Sequence, residues 1–375
     1  MKILEVSRYK NNFADHQLPF VTEQGEAIAK VLREFDNGHL TFGNEPSAVE
    51  YFLVKGNYVM AVRALKAKIR EFKPDIVHAH YGLSAITAEL QSLVPVVTTF
   101  HNGETLNWHV NLMSSLMSLR AKHVIYVAQH IRDLSYFKAK HYSIIPCGVP
   151  MEQMTIIPKE EARKQLGWDA DKKYILFGGA FDNLRKNYAL LRSAVEVLEE
   201  TKTQINTACA AINKDNSQKT PKTISSEAST LKWEKVEGGE QLGDIVCIEM
   251  KGLSRAECVL RMCGADLFAL PSHSEGSPQA LKEAMACNCP CLATDIADVR
   301  ELFGDEAGHW ILRNPRKTHE RWDGDEKSSD EMAELLKEAL DFEGRTHGRE
   351  RILALELSNE QVAKRIVEIY RQVLR

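Results

Sequence analysis

The chain has 375 residues, 44% of them hydrophobic and 27% charged, with a formal net charge of −4. This length predicts two domains of ordinary size, and the composition is typical of a soluble globular protein. No apolar run is long enough to cross a bilayer, and the charged start of the chain is unlike a signal peptide, so we expect a cytoplasmic protein.

The cysteines are best interpreted as structural residues, and the balance of charge differs between the two halves of the chain. The eight cysteines are too scattered for a disulfide scaffold, and Cys287, Cys289 and Cys291 are better interpreted as small buried residues than as metal ligands. Residues 1–150 carry 16 Lys or Arg against 13 Asp or Glu, so this part of the chain is the better suited to meet an anionic surface.

Strands and helices alternate through the first half of the chain. Alternation of this kind predicts a doubly wound parallel sheet, whose ligands collect at the carboxyl ends of the strands, where His80, His101 and Gln129 fall. The predicted strands are Met1–Val6, Asp75–Tyr81, Val94–Phe100 and His123–Ala128, and the main helices are Phe20–Phe35 and Tyr58–Phe72.

The second half repeats the alternation and predicts a second sheet. Residues 201–243 are rich in Lys, Thr, Ser, Asn and Glu, and we interpret them as a long polar insertion. The predicted strands are Tyr174–Gly179, Ile245–Met250, Asp266–Leu270, Cys289–Asp295 and His309–Leu312, and the helices are Asn187–Leu198, Ser254–Cys263, Ser329–Leu340 and Ser358–Leu374.

One stretch of this half has the features of an anion site. After the strand ending at Leu270, Ser277 is a good helix N-cap and Pro278 suits the first helical position, so a helix is predicted to start near Ser277. The unpaired N–H groups and the dipole of its first turn favour a phosphate at Gln279 and Ala280.

Two acids flank this predicted helix start. Glu275 lies in the preceding loop, and Glu283 lies two residues beyond the first turn with its side chain leaning back toward the helix start. Carboxylates accept hydrogen bonds, so the expected partners are hydroxyl groups of a ribose and of a sugar ring. Gly276 leaves space for a ligand beside the backbone.

The spacing Glu275-x7-Glu283, with Gly276 after the first acid and Ala284-Met285-Ala286 after the second, resembles the signature of retaining GT-B glycosyltransferases of the family 4 type. The resemblance implies two doubly wound Rossmann-like domains that face a cleft and transfer a sugar from a nucleotide-diphosphate donor to an acceptor hydroxyl. It also implies that Glu275 contacts the donor sugar, that Glu283 contacts the ribose, and that the amides between them hold the diphosphate.

Two further loops extend the resemblance. Thr98-Thr99-Phe100-His101 resembles the family's Thr-x-x-His loop, which makes His101 a hydrogen-bond donor to the sugar. Residues 179–186 resemble the loop Gly-Arg-x5-Lys, in which Lys186 matches, Ala180 stands where Arg is expected, and Arg185 is the candidate for the second cation. The implied catalytic residues are His101, Glu275 and Lys186, and the implied donor-binding residues are Arg185, Lys186, Gly276, Ser277, Pro278, Gln279, Ala280 and Glu283.

The resemblance also divides the chain. Residues 143–150 resemble the family's interdomain linker, so we expect an acceptor-side domain at 1–148 and a nucleotide-sugar-binding domain at 149–357 that contains the insertion 201–243. Residues 358–375 are expected to form a helix that crosses back to the first domain.

Several expectations about partners follow from the resemblance. We expect a hexosyltransferase-like enzyme of class EC 2.4 with a glycan or lipid-linked glycan acceptor, acting in surface polysaccharide or glycolipid synthesis. No metal, cofactor or nucleic acid is expected. The basic N-terminal domain favours peripheral contact with the inner face of a membrane.

Three other interpretations stay open. One is a GT-B epimerase of UDP-N-acetylglucosamine, and another is a non-catalytic sugar-nucleotide binder, which Ala180 favours. The third is a metal-dependent hydrolase built on His78, His80 and His101, although the sequence shows no carboxylate ligand set beside them.

Overall fold

The computed structural model of the protein describes residues 1–8, 19–36, 48–215, 232–313 and 326–375. Their contacts divide the chain into two compact units, each a Rossmann-like α/β unit built on a mainly parallel sheet. The domain limits expected at residues 148 and 357 stay predictions. The first unit contains Met1–Met151, Glu275–Gln279 and Ile352–Arg375, and the second contains Glu152–Ser274 and Ala280–Arg351.

The described residues of the first unit form a six-stranded parallel sheet in the order β2-β1-β3-β4-β5-β6. The edge strands β2 and β6 were not predicted. Strand β6 is short and half-exposed, whereas β2 contains the apolar run Tyr51–Val54, which the sequence analysis did not use. The elements up to residue 151 are β1 (Ile3–Arg8), α1 (Pro19–Asp36), β2 (Val49–Val54), α2 (Ala61–Phe72), β3 (Ile76–His80), α3 (Gly82–Gln91), β4 (Val96–Phe100), α4 (Trp108–Ser118), β5 (His123–Tyr126), α5 (Gln129–Leu134) and β6 (Tyr142–Ile144).

The rest of the chain contributes a seven-stranded sheet in the order β13-β12-β11-β7-β10-β9-β8, in which β9 pairs antiparallel with both β10 and β8 and the other described pairs are parallel. The elements are α6 (Lys159–Leu166), β7 (Lys173–Phe177), α7 (Tyr188–Asp215), β8 (Glu234–Val236), β9 (Gly239–Leu242), β10 (Ile245–Glu249), α8 (Arg255–Gly264), β11 (Leu267–Leu270), α9 (Gln279–Ala286), β12 (Cys291–Thr294), α10 (Val299–Phe303), β13 (His309–Leu312), α11 (Glu326–Asp341), α12 (Gly348–Ala354) and α13 (Asn359–Leu374).

The stretch 201–243 is more regular than predicted. Helix α7 continues to Asp215, and β8 and β9 extend the sheet as an antiparallel pair, with Gly238 at φ +71° in the turn between them. Regular elements therefore occupy 201–215, 234–236 and 239–242 of the predicted polar insertion, while residues 216–231 lie outside the described part of the chain. Residues 201–207 are polar because they form an exposed part of helix α7, so their composition does not indicate an inserted loop.

Helix α13 supplies part of the core of the first unit. Its residues Ile366, Ile369 and Tyr370 are buried together with Ile3 of β1 and Ile28 of α1. Leu4 and Val6 of β1 belong to a second cluster with residues of α2, α3 and β3, so β1 is covered on both faces.

Two observations bear on membranes and metals. In the described part of the chain, no helix has both the length and the apolar character that crossing a bilayer requires. Cys287, Cys289 and Cys291 are buried free thiols.

We predict that Ile366→Ala destabilises the first unit by about 2–5 kcal/mol, because it leaves a cavity where Ile366 is only 1% exposed. The measurement is the urea denaturation midpoint of the full chain. Leu374→Ala is the control, since Leu374 in the same helix is 45% exposed and its truncation should change stability by less than about 0.5 kcal/mol. Equal effects of the two substitutions would show that α13 does not form part of the core.

Candidate functional site

His101 lies directly after β4, at the carboxyl end of the first sheet, where parallel sheets bind ligands. Its Nε2 is 3.1 Å from Nδ1 of His80, and its Nδ1 is 3.6 Å from Sγ of Cys147. The rings of Phe20 and Tyr81 lie 5.1 and 4.6 Å from the His101 ring, centroid to centroid. Both imidazole nitrogens of the predicted catalytic histidine therefore have partners inside the first unit.

The hydrogen bonds continue from His80 to a buried acid. Nε2 of His80 lies 2.7 Å from Oε2 of Glu5, and both side chains are fully buried. Burial alone would raise the pKa of Glu5, but attraction to His78 and His80 outweighs it and lowers that pKa to about 2. Burial lowers the pKa of His80, so we assign a neutral imidazole beside an ionised Glu5.

This assignment fixes the direction of each hydrogen bond. His80 donates its Nε2–H to Glu5, so Nδ1 of His80 accepts the Nε2–H of His101. Nδ1 of His101 then accepts from the thiol of Cys147. Glu5 thus orients His101 through His80. Residues that hydrogen-bond a functional imidazole commonly fix its tautomer and ring orientation in this way.

A second branch ties α13 to the same strands. Nδ1 of His78 lies 2.6 Å from the Tyr370 hydroxyl, and its Nε2 lies 2.7 Å from Oγ1 of Thr99. The sequence analysis expected no carboxylate beside these histidines. That expectation was wrong, because the Glu5 carboxylate and the ring nitrogens of His78 and His80 include atoms that all lie within 4.8 Å of one another. Both nitrogens of each imidazole already have hydrogen-bond partners, so hydrogen bonding accounts for this cluster without a metal ion.

Glu104 holds the loop that carries His101. Its carboxylate accepts hydrogen bonds from the backbone N–H groups of Gly82, His101 and Asn102, at 2.8, 3.2 and 3.0 Å. Asn102 and Tyr81 have positive φ angles of 107° and 69°, a conformation that non-glycine residues adopt at a cost. Glu104 is therefore a residue that fixes a strained loop, a role that the sequence did not reveal.

The segment 275–279 clusters with the first unit. A Cβ at position 276 would collide with the carbonyl oxygen of His101, so only glycine allows this approach. Glu275 is 9% exposed, and its backbone hydrogen-bonds the His130 side chain. Gln279 donates from Nε2 to the carbonyl of Gly148 over 2.7 Å.

The helix start differs slightly from the prediction. Helix α9 begins at Gln279, so Ser277 and Pro278 precede the helix, and the predicted start at Ser277 was two residues early. Gln279 and Ala280 are the first two helical residues, whose backbone N–H groups have no partner within the helix.

Glu283 has a cationic partner. Its Oε1 lies 2.6 Å from Nη1 of Arg255, while Glu283 is only 6% exposed. The expectation that hydroxyl groups would be its natural partners overlooked this ion pair. Arg255 is placed by the capping box of Ser254 and Glu257, which fixes the start of α8. That capping pattern is visible in the sequence, but the contact with Glu283 is not.

Arg185 and Lys186 lie in a short 3-10 turn, Leu184–Lys186, capped by Asn183. Arg185 donates from Nη1 to the carbonyl of Ser274 over 2.6 Å, and its own carbonyl accepts from the N–H of His273 over 2.9 Å. A Cβ at Gly179 would lie 2.9 Å from Cγ of Lys186, so the lysine stem packs against that glycine. Arg185 therefore fixes the segment after β11.

Two cavities in the first unit lie at opposite ends of its strands. One of about 230 Å³ lies at the carboxyl ends of β1 and β3 and is lined by Arg8, Tyr58, Tyr81 and Glu104, among others. The other, about 470 Å³, lies at the start of β4 and includes Glu89, whose pKa is raised by burial to about 8. The smaller cavity adjoins the His101 loop, so cavity size alone does not identify the site.

We predict that Glu5→Gln makes the stability of the chain less dependent on pH in the acid range. A carboxyl group whose pKa falls from 4.5 to about 2 on folding stabilises the folded state fully above pH 4.5 and loses that contribution, about 3 kcal/mol, as the pH falls toward 2. The variant lacks this contribution and should lose less stability over that interval, as measured by urea denaturation midpoints. Glu71→Gln, whose side chain is 74% exposed, should behave as wild type. Parallel pH profiles for all three proteins would contradict the assignment of the charge to Glu5.

Comparison with known proteins agrees with this architecture. Residues 31–153 match the family described as Glycosyltransferase Family 4, and residues 172–337 match Glycosyl transferases group 1. TuaC of Bacillus subtilis, which carries the name of a teichuronic acid biosynthesis glycosyltransferase, is 27% identical over 258 residues, 63% of this chain and 57% of TuaC. The match therefore spans less than two thirds of that relative.

Solved structures share the fold across the whole chain. Sucrose-phosphate synthase of Thermosynechococcus elongatus superposes with a TM-score of 0.67 at 15% identity, covering 100% of this chain and 99% of that one. HepE of Anabaena, solved in complex with UDP and glucose, gives a TM-score of 0.65 at 14% identity, covering 99% and 100%. Two parts of the chain are thus similar to a glycosyltransferase family 4 domain and to a glycosyl transferases group 1 domain, and the chain has a GT-B-like fold.

Proposed function

We propose that the protein is a retaining glycosyltransferase that moves a sugar from a nucleoside-diphosphate sugar to an acceptor hydroxyl. The observation that carries the proposal is the start of α9, which is flanked in the sequence by two largely buried acids, Glu275 in the loop and Glu283 in the helix. A helix N-terminus attracts a diphosphate, and carboxylates bind the hydroxyl groups of ribose and sugar.

In this proposal each predicted residue has one role. Glu275 binds the donor sugar, and Glu283 binds the ribose. His101 donates a hydrogen bond to the sugar, which requires its Nε2–H to leave Nδ1 of His80 when the donor binds. Lys186 neutralises charge that develops on the leaving diphosphate, a type of interaction that accounts for much of enzymatic rate acceleration. The diphosphate is held by the backbone of residues 276–280, with Arg185 as a second cation.

The proposed step is a front-face substitution at the anomeric carbon. The bond from that carbon to the diphosphate oxygen breaks, and the bond to the acceptor oxygen forms on the same face. The acceptor's proton passes to the leaving phosphate oxygen, so the reaction balances without a metal ion or another cofactor. Support for retention comes from the family resemblance of the Glu275-x7-Glu283 stretch.

The acceptor in this proposal is a glycan or a lipid-linked glycan. The cavity of about 230 Å³ beside the His101 loop has two tyrosines and Arg8, which suit hydroxyl groups and an anionic substituent. The name of the relative TuaC, a teichuronic acid biosynthesis glycosyltransferase, supports a role in polysaccharide synthesis. The family resemblance is the basis for proposing a hexosyl transfer, a glycolipid as the alternative product, and a place in the cytoplasm at the inner face of the membrane.

A second candidate is a protein that binds the sugar nucleotide without turning it over. Ala180 provides no cation where the family has Arg, and Nη1 of Arg185 donates to the carbonyl of Ser274. If Lys186 alone neutralises the leaving group, the transition state gains less stabilisation than a pair of cations would give.

The test is a screen of the full chain against UDP-, GDP- and ADP-sugars by thermal shift, followed by radiolabelled turnover and NMR of the anomeric configuration. We expect one donor to raise the melting temperature and to release its nucleoside diphosphate, with or without EDTA. Lys186→Ala should lower turnover about hundredfold and change donor affinity less, while Lys337→Ala should not change either.

Each other outcome of the screen identifies a different function. A donor shift without turnover would favour the binder, and conversion of the donor to its epimer without an acceptor would favour the epimerase. An inverted product would overturn retention. Unchanged kinetics in Lys186→Ala would remove Lys186 from the site.

We further predict that Glu283→Gln and Arg255→Ala both weaken nucleotide binding about tenfold, because the first removes the charge of the ribose-binding carboxylate and the second removes its partner. Isothermal titration with the free nucleoside diphosphate measures this effect. Arg261→Ala is the matched control, since Arg261 lies in the same helix, α8, and contacts only a backbone carbonyl of that helix in the described structure. Loss of affinity in Glu283→Gln alone would show that Arg255 does not position the carboxylate.

A further inference from the structure

Helix α4 is inverted relative to an ordinary surface helix. Its buried side chains are Asn111, Ser114, Ser115 and Ser118, all polar. Its exposed side chains include Trp108, Leu112, Leu116 and the C-cap Leu119, at 57%, 36%, 40% and 51% exposure. These four positions follow the spacing i, i+4, i+8 and i+11, which places them on one stripe of the helix.

The polar side of α4 faces the protein for a packing reason. Ser114 lies so close to Gly82 at the start of α3 that a Cβ at position 82 would collide with it. Ser115 and Ser118 donate their hydroxyl protons to carbonyls within α4, over 2.6 and 2.7 Å. Ser115 and Ser118 thus satisfy their own hydroxyl groups, and the small side chains allow close packing of α4 without the leucines of the exposed stripe.

The exposed stripe is continued by a neighbouring segment. Asn111 donates to the carbonyl of Leu134 over 2.8 Å and accepts from the N–H of Tyr136 over 3.3 Å. Leu134 and Tyr136 are 58% and 59% exposed. We call the six exposed side chains Trp108, Leu112, Leu116, Leu119, Leu134 and Tyr136 the apolar face. A monomeric soluble protein seldom exposes so many large apolar side chains together unless they form a binding surface.

The part of the sequence that carries the apolar face is mainly positive, although Arg120 and Lys122 also line the cavity that contains Glu89. Between residues 105 and 142 the chain has five Lys or Arg and one acidic residue, Asp133, although its net charge as a whole is −4. Four of these basic residues are exposed, namely Arg120, Lys122, Lys138 and Lys140. An apolar stripe with tryptophan and leucine beside exposed lysine and arginine is the pattern of a helix that lies in the interface of an anionic bilayer.

We propose that the apolar face docks the first unit on the surface of a bilayer that contains anionic lipids. The stripe of α4 inserts at the boundary of headgroups and acyl chains, and the basic residues contact the headgroups. A second copy of the chain suits the face less well, because a symmetric pair would place the same positive charges against each other. The inference rests on the membrane contact in the proposed function and is independent of sugar transfer.

The test is sedimentation of the full chain with phosphatidylcholine vesicles, with and without phosphatidylglycerol. We expect binding only when phosphatidylglycerol is present, weakening with salt. The double variant Leu112→Ser/Leu116→Ser should bind at least about tenfold more weakly, because two leucines no longer enter the interface. Lys138→Glu/Lys140→Glu should lower both the affinity and its dependence on salt. Vesicle binding should shift Trp emission to the blue, and Trp108→Phe should remove most of that shift.

Matched controls lie outside the apolar face. Ile205→Ser/Leu374→Ser changes two apolar side chains of 54% and 45% exposure, and Lys232→Glu/Lys337→Glu changes two exposed lysines. Both should bind vesicles as wild type. All variants should keep the thermal shift produced by a sugar nucleotide, which shows that the chain is folded. A chain that binds vesicles but shows no such shift would contradict the proposed function and leave docking intact.

Three results would overturn the proposal. The first is equal binding to vesicles with and without phosphatidylglycerol. The second is equal binding by wild type and Leu112→Ser/Leu116→Ser. The third is a dimer in light scattering that Leu112→Ser/Leu116→Ser dissociates, which would assign the apolar face to contact between copies of the chain.

Discussion

A buried negative charge on Glu5 organises the carboxyl end of the first sheet. An ionised carboxylate without water needs hydrogen-bond donors, and His80 provides one at 2.7 Å. That bond leaves Nδ1 of His80 as an acceptor, which selects the tautomer of His101. Through His78 and Tyr370 the same cluster fixes α13 against β3. The orientation of a loop histidine and the attachment of the last helix therefore both depend on one acid in the first strand.

In the second unit, the arginines that adjoin the candidate site bind protein groups. Arg185 donates to the carbonyl of Ser274, and Arg255 pairs with Glu283. A guanidinium has five N–H donors in a planar arrangement, so it can orient a backbone or a carboxylate while carrying its positive charge nearby. In the proposed function, the cations available to the diphosphate are therefore Lys186 and arginines whose orientation these contacts fix.

How far the sequence predicts the structure depends on how local each feature is. The strands β3, β4, β7, β10, β11 and β13 are short runs with a majority of apolar residues and were predicted, whereas β2, β6, β8 and β9, at the margins of the two sheets, were not. The placement of Glu275 in a loop and of Glu283 in a helix was predicted from the local sequence around the Glu275-x7-Glu283 motif. Glu5 does not, because its contact with His80 depends on the register of β1 against β3, where Glu5 pairs with His78. A single sequence gives no information on that register, and the same holds for the ion pair of Arg255 with Glu283.

The inversion of α4 and the loop of His101 share one structural cause. Gly82 donates its N–H to Glu104, which holds the loop of residues 101–102, and the absence of a side chain at Gly82 admits Ser114 of α4. The same glycine therefore allows α4 to pack through its serines and anchors the acid that fixes the histidine loop. Since Asn107 caps α4 only six residues after His101, anything that holds the apolar face in place also limits the movement of that loop. If the proposed docking and the proposed lipid-linked acceptor are both correct, the acceptor reaches the protein beside a helix whose N-cap lies six residues from His101.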